Sequence, residues 1–308
     1  MILTQQLTKR YGKQEALHEL NLNIEKGRVF GFIGPNGAGK STTMLILSTL
    51  LAPTSGRAYV AGYDVCKEPK EVRQVLGYMP DFFGVYDNLK ATEYLEFYAA
   101  AYHIPVEKRK SLIANLLELV NLSNKADAYV DSLSRGMKQR LGLARCLVHS
   151  PEVLILDEPA SGLDPRARIE MREILKELRK MGKTILISSH ILPELAELCD
   201  EIGVIEKGRL VACGAVEDVS VGTRGISVME VKVLEMHEQA LRLLEAFPYV
   251  RRLDDKASHF RFQFTGTEAD KAALLQQLIT AGIPVIQFGE SKENLEDVFL
   301  AITEGVGN

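Results

Sequence analysis

Short apolar runs and polar breaks alternate from the first residues onward. Runs at 2–7, 20–24 and 28–33 have strand length and aliphatic content. The third ends in a glycine-rich turn, and a helix-period stretch follows from 40 to about 51. Pro53 to Gly56 breaks that pattern, and a strand resumes at 57–61. Helical spacing dominates 92–122, with a break at Ile104-Pro105. A helix over 134–148, a strand at 153–156, an amphipathic helix at 164–181, a strand at 184–188, a helix at 192–198 and a strand at 202–205 complete this part. Strands alternating with helices predict a parallel sheet covered on both faces.

Composition shifts near 220, where Ser220-Val-Gly-Thr-Arg-Gly reads as a linker. The pattern therefore predicts two domains, 1–219 and 220–308. In the second, strand 226–234, helix 237–246, strands 249–254 and 259–265, helix 267–281 and strand 283–289 give a βαββαβ order, that of a ferredoxin-like α+β domain. A last helix is expected over 294–303.

Bulk properties narrow the class. The 308 residues are 46% hydrophobic and 25% charged, an ordinary soluble globular balance. A net charge of −4 without a long basic run argues against nucleic acid as a partner. The four cysteines form no CxxC pair, which disfavours a zinc site or disulfide framework and fits a reducing compartment. No basic stretch followed by a long apolar run opens the chain, so no signal peptide is expected. No window approaches 18 consecutive apolar residues, so any membrane-spanning part is expected on another chain.

Chemistry enters at Gly34-Pro-Asn-Gly-Ala-Gly-Lys-Ser-Thr42, which fits GxxxxGK[ST] between a strand and a helix. Glycines let backbone N–H groups converge on phosphate oxygens, and the helix start adds its own free N–H groups. Gly34, Asn36, Gly37, Ala38, Gly39, Lys40, Ser41 and Thr42 are thus candidate nucleotide-binding residues, though the loop alone does not separate kinases, GTPases, helicases and transporters. Lys40 brings positive charge to the outer phosphates, and Ser41 offers its hydroxyl to Mg²⁺. Val153-Leu-Ile-Leu-Asp-Glu-Pro159 is an apolar strand ending in two acids, at the carboxyl edge of a sheet beside that loop. Asp157 suits Mg²⁺, and Glu158 suits base or water-positioning work. His190 follows another apolar strand and is placed to reach a γ-phosphate or the attacking water.

Leu133-Ser-Arg-Gly-Met-Lys-Gln-Arg140 lies shortly before Asp157-Glu158. With the phosphate loop, Leu154–Pro159, Ser161-Gly-Leu-Asp164 and His190 in this order, it resembles the signature of ATP-binding cassette (ABC) proteins, usually written LSGGQ, over residues 1–215. The resemblance implies a P-loop ABC ATPase domain, a mixed sheet with helices and a helical subdomain. It implies two cassettes packed head to tail around two ATP molecules. Each ATP lies on one phosphate loop and under Ser134 and Gly136 of the other subunit, and Ser161 to Asp164 touches the partner. Ser134 is also a good N-cap for the helix that begins there. Tyr11 matches the residue that stacks on adenine. Ser291-Lys-Glu-Asn-Leu-Glu-Asp-Val-Phe-Leu300 resembles a segment of ATPase subunits of ABC-2-type exporters. That resemblance implies polytopic permease partners and a place on the cytoplasmic face of the membrane.

The chain departs from the family at three positions. Asp81 stands where glutamine ligates Mg²⁺; it is either a charged ligand or points elsewhere. Arg135 stands for a glycine and Met137 for a glutamine. Phe82, Phe83 and Tyr86 are candidates either for permease contact or for the core. Two other readings compete: a soluble ABC ATPase of DNA repair, chromosome organisation or translation, and a P-loop kinase. The kinase reading explains neither Leu133–Arg140 nor Ser161–Asp164.

Overall fold

A computed structural model describes residues 1–81, 84, 88–189, 195, 197–216, 227–256 and 259–290. His190, Phe82, Phe83, Tyr86, the 219/220 boundary, the segment 291–300 and most of the helices expected at 192–198 and 294–303 lie outside these residues. The chain divides into two compact units, Met1–Val216 and Glu217–Asn308.

The first unit holds two sheets. One is an antiparallel sheet in the order β2-β1-β4-β5, built from β1 (Ile2–Tyr11), β2 (Gln14–Ile24), β4 (Ser55–Val60) and β5 (Tyr63–Asp64). The first two strands are longer than their apolar runs. Exposed polar residues such as Gln5, Arg10 and Glu19 interrupt or extend the runs without ending the pairing. They form a hairpin of their own rather than joining the parallel sheet.

The second sheet has the order β10-β9-β3-β8-β7-β6. Its strands are β3 (Val29–Ile33), β6 (Leu76–Met79), β7 (Val153–Asp157), β8 (Thr184–Ser189), β9 (Glu201–Glu206) and β10 (Arg209–Ala215). All pairings are parallel except β9 with β10. Every residue of β3, β7 and β8 is buried, as strands covered on both faces require. Around the sheets run α1 (Lys40–Leu47), α2 (Pro69–Val75), α3 (Ala91–Ala101), α4 (Val106–Leu119), α5 (Arg135–Leu147) and α6 (Pro165–Lys180). α1 stops short of the expected 51, because Thr49 takes a left-handed φ of 64°.

Local chemistry accounts for the helix ends nearest the candidate motifs. Ser134 caps α5, its hydroxyl accepting from the Met137 N–H at 3.3 Å. Asp164 caps α6, accepting from the Ala167 N–H at 3.0 Å, and Pro165 holds the first helical position. Ala167, Met171, Ile174, Leu175 and Leu178 then line one buried face of α6 at helical spacing. Arg179 and Lys180 complement the negative end of its dipole.

The second unit runs β11 (Ser227–Val233), α7 (His237–Ala246), β12 (Val250–Lys256), β13 (His259–Phe264), α8 (Glu268–Thr280) and β14 (Val285–Glu290). Its antiparallel order β12-β13-β11-β14 is that of a ferredoxin-like sheet. Met229, Val231, Phe260, Phe262 and Phe264 from the strands meet Ala240, Leu244, Leu274 and Leu278 from the helices in one core. Phe262→Ala removes a fully buried ring from that core. It is expected to destabilise this unit by about 3–5 kcal/mol, read as an earlier transition of the second unit in urea.

Candidate active site

In the parallel sheet β7 lies next to β6 and one strand from β3, so their carboxyl ends share one edge. The segments beyond these three ends converge on one cleft of about 390 Å³. Asn36 to Thr42 of the phosphate loop line it, with Asp81 beyond β6 and with Asp157, Glu158 and Ser161 at and beyond the end of β7. The loop is shaped for close backbone approach. Gly39 has φ +113°, and a Cβ there would fall 2.7 Å from Leu17 Cδ2. A Cβ on Gly34 would fall 2.4 Å from the Ile205 carbonyl.

Lys40 is buried, with 6% of its surface exposed. Its ammonium donates to the carbonyls of Gly34 and Pro35 and sits 3.9 Å from Glu158 Oε1. Burial lowers its pKa, while the charges of Glu158 and then Asp157 act the other way. Asp157 is 3% exposed and Glu158 is half-buried. Glu158 adopts a left-handed φ of 51°, a conformation costly for a residue with a Cβ.

Ser188 explains how that corner is held. Its hydroxyl donates to Asp157 Oδ1 at 2.6 Å and accepts from the Glu158 N–H at 2.9 Å. One buried hydroxyl on β8 thus orients both acids at the end of β7. Sequence reasoning missed Ser188. Its only signal was a polar residue ending an apolar strand, two positions before His190.

Among the described residues, the candidates Tyr11, Ser134 and Gly136 do not line this cleft. Tyr11 sits beside the turn of the β1–β2 hairpin, 49% exposed, with the Lys9 ammonium 5.2 Å above its ring. Ser134 is exposed at the start of α5. Gly136 is buried: a Cβ there would lie 2.8 Å from Ala167 Cβ, so its close approach is to α6 of the same chain. Arg135 lies against the loop Ser161–Asp164, where a Cβ on Gly162 would fall 2.5 Å from its guanidinium carbon.

The oxygen donors Ser41, Asp157 and Asp81 around one phosphate-shaped loop fit Mg²⁺ bound together with ATP phosphates, since Mg²⁺ takes few protein ligands.

The family model described as "ABC transporter" matches residues 17–161. That described as "ATP-binding protein DrrA1-3-like, C-terminal domain" matches 221–303. The linearmycin resistance ATP-binding protein LnrL of Bacillus subtilis (strain 168) is 32% identical over 305 residues, 98% of each chain. The chain belongs to the ATP-binding subunits of ABC transporters. The bacitracin transport ATP-binding protein BcrA of Bacillus licheniformis is 35% identical, over 99% of this chain and 98% of its own. Among solved structures, an ATP-binding subunit of an ABC transporter is 29% identical with a TM-score of 0.66, over 73% of this chain and 93% of that one. The cassette MJ0796, in a dimeric post-hydrolysis state bound to ADP and phosphate, is 25% identical with a TM-score of 0.64, over 70% of this chain and 99% of that one.

As a member of this family the chain binds and hydrolyses ATP. These relatives are resistance and transport subunits, so a role in DNA repair, chromosome organisation or translation is not favoured. Among the described residues no helix is long and apolar enough to cross a membrane.

Ser188→Ala would leave a buried carboxylate oxygen and the Glu158 N–H without their shared partner. Its expected cost is about 1–3 kcal/mol of stability, with kcat for ATP hydrolysis falling more than KM rises. A variant with wild-type melting temperature and wild-type kcat would remove Ser188 from the site.

Proposed function

We propose that this chain is the ATPase subunit of an exporter and drives a separate polytopic permease. It would pair with a second ATPase subunit, another copy or a close relative, around two ATP molecules. The observation that carries this reading is the cleft where the phosphate loop, Asp81, Asp157 and Glu158 meet. The position of Ser134 supports sharing. It caps an exposed helix start away from its own cleft, ready to meet an anion held by another subunit. Export is supported by the match of 221–303 to the DrrA-like domain. It is also supported by 37% identity, over 96% of this chain and 94% of the other, to the Nod factor export ATP-binding protein I of Burkholderia orbicola.

Each residue then has a task. The N–H groups of Gly34 and of Asn36 to Thr42 hold the phosphates together with the Lys40 ammonium, which leaves its present carbonyl and carboxylate partners. Tyr11 stacks on adenine. Ser41, Asp157 and Asp81 would hold Mg²⁺, which when bound would offset negative charge on the phosphates. Glu158 accepts a hydrogen bond from the attacking water and turns it toward the γ-phosphate, and His190 assists there. Ser134 of the second subunit closes the site, and Gly136 keeps that end of α5 against α6.

The permease meets the helical subdomain. An apolar groove between α3 and α4, lined by Leu89, Phe97, Val106, Ile113 and Leu117, comes after the segment from Asp81 to Tyr86 in the chain and suits a short permease helix. On this reading the chain works at the cytoplasmic face of the membrane, with no nucleic-acid partner.

Glu158→Gln should lower kcat by about 10²–10⁴-fold while ATP binding stays close to wild type. Loss of binding with unchanged turnover of the bound fraction would assign Glu158 to binding instead. Extracted from membranes in mild detergent, the chain should co-purify with a polytopic protein. Recovery with ribosomes or DNA would contradict the export reading.

A further inference from the structure

Strand β6 ends the six-stranded sheet on one side among the described residues. Alternate carbonyls of a strand point to opposite edges. The Val75 carbonyl, just before β6, accepts from the Glu152 N–H at 3.0 Å, toward β7. The Leu76 and Tyr78 carbonyls therefore face outward, where an unpaired edge is a liability. Here side chains occupy that edge, and all come from the last turn of α5 or just beyond it. Arg145 Nη2 donates to the Tyr78 carbonyl at 3.2 Å, and Cys146 Sγ donates to the same oxygen at 3.1 Å. His149 Nε2 lies 3.0 Å from the Leu76 carbonyl, which can only accept, so that nitrogen carries the proton.

The joint is tight and reaches further. A Cβ on Gly77 would fall 2.6 Å from the Cys146 carbonyl, so helix and strand backbones touch there. Burial pushes the Cys146 thiol up, which keeps it an S–H donor. The Arg145 guanidinium also lies 5.4 Å from the centre of the Tyr98 ring on α3. Tyr102, at the end of α3, stacks on His149 at 3.9 Å and 7°. β6 closes at Met79, and two residues later Asp81 stands in the nucleotide cleft. The helix that supplies the latch, α5, begins at the Ser134 cap.

We propose that Arg145 and Cys146 are positioning residues for Asp81. By holding the Tyr78 carbonyl they fix the end of β6, and with it the place of Asp81 in the cleft. One rigid helix, α5, thereby joins the end carrying Ser134 to the loop carrying Asp81. The consequence for metal binding rests on the reading of Asp81 as a Mg²⁺ ligand; the latch itself does not.

Cys146→Ala deletes one donor with little change in volume, and Cys146→Ser restores an O–H donor at the same place. The first readout is hydrogen exchange of the nucleotide-free chain. Cys146→Ala should speed exchange of the amides at 77–81 about two- to tenfold, the effect of one lost hydrogen bond, and Cys146→Ser should reverse it. Unchanged exchange there, or an equal rise across the whole first unit, overturns the latch. The second readout is Mg²⁺-dependent binding of a fluorescent ATP analogue in the Glu158→Gln background. Cys146→Ala should weaken it by a similar factor, and should add nothing once Asp81→Ala is present. Additive losses overturn the route through Asp81. If Asp81→Ala alone leaves the Mg²⁺ dependence unchanged, the ligand reading of Asp81 fails, and the exchange data still decide the latch. Should Cys146→Ala fold poorly, Arg145→Lys serves in both arms, since it keeps the charge but loses the planar fork that spans Tyr78 and Tyr98.

Discussion

Lys40 and Asp157 are 6% and 3% exposed, and neither charge could be left there alone. An isolated buried ion costs several kcal/mol even after relaxation. The fold answers by placing complementary groups at adjacent strand ends. Carbonyls of the phosphate loop and the Glu158 carboxylate receive the ammonium, and Ser188 receives Asp157. This arrangement requires β3, β8 and β7 to be neighbours with their carboxyl ends level, which is the order and direction found. A site with charges already in place also stabilises developing phosphoryl charge with little reorganisation.

The same constraint organises the other side of the unit. The start of α5 packs on α6 through Gly136 on Ala167 and on the loop Ser161–Asp164 through Arg135 on Gly162. Further along, Arg140 donates to the Val120 and Asn121 carbonyls beyond α4 and pairs with Glu170 of α6 at 3.1 Å. The helical subdomain is thus tied to the element that comes after the two acids. Arg135, a departure from the usual glycine, contributes a contact with the neighbouring loop, so the substitution changes packing as well as charge.

Much of this was legible in the residues. The phosphate loop is read from spacing because its geometry is local. β7 is read from an uninterrupted apolar run because both its faces are covered. The ferredoxin-like order of the second unit is read from alternation and turn positions. Other features were not legible. β6 is four residues long, and its outer edge is satisfied by Arg145, Cys146 and His149, far away in the chain. The β1–β2 hairpin was cut short because one face carries charges. Ser188 looks like any polar residue ending a strand until β7 and β8 are set side by side. What the missing Cβ of Gly136 makes room for shows only in the packing of α5 on α6.

Sharing of each ATP between two subunits is the central claim, and sedimentation of the Glu158→Gln chain with and without ATP tests it most directly. A shared site predicts a monomer without nucleotide and a dimer holding two ATP with it, and Ser134→Arg should abolish the dimer while each chain still binds ATP. A chain that binds ATP and stays monomeric at saturating nucleotide, or a dimer indifferent to Ser134→Arg, would contradict it.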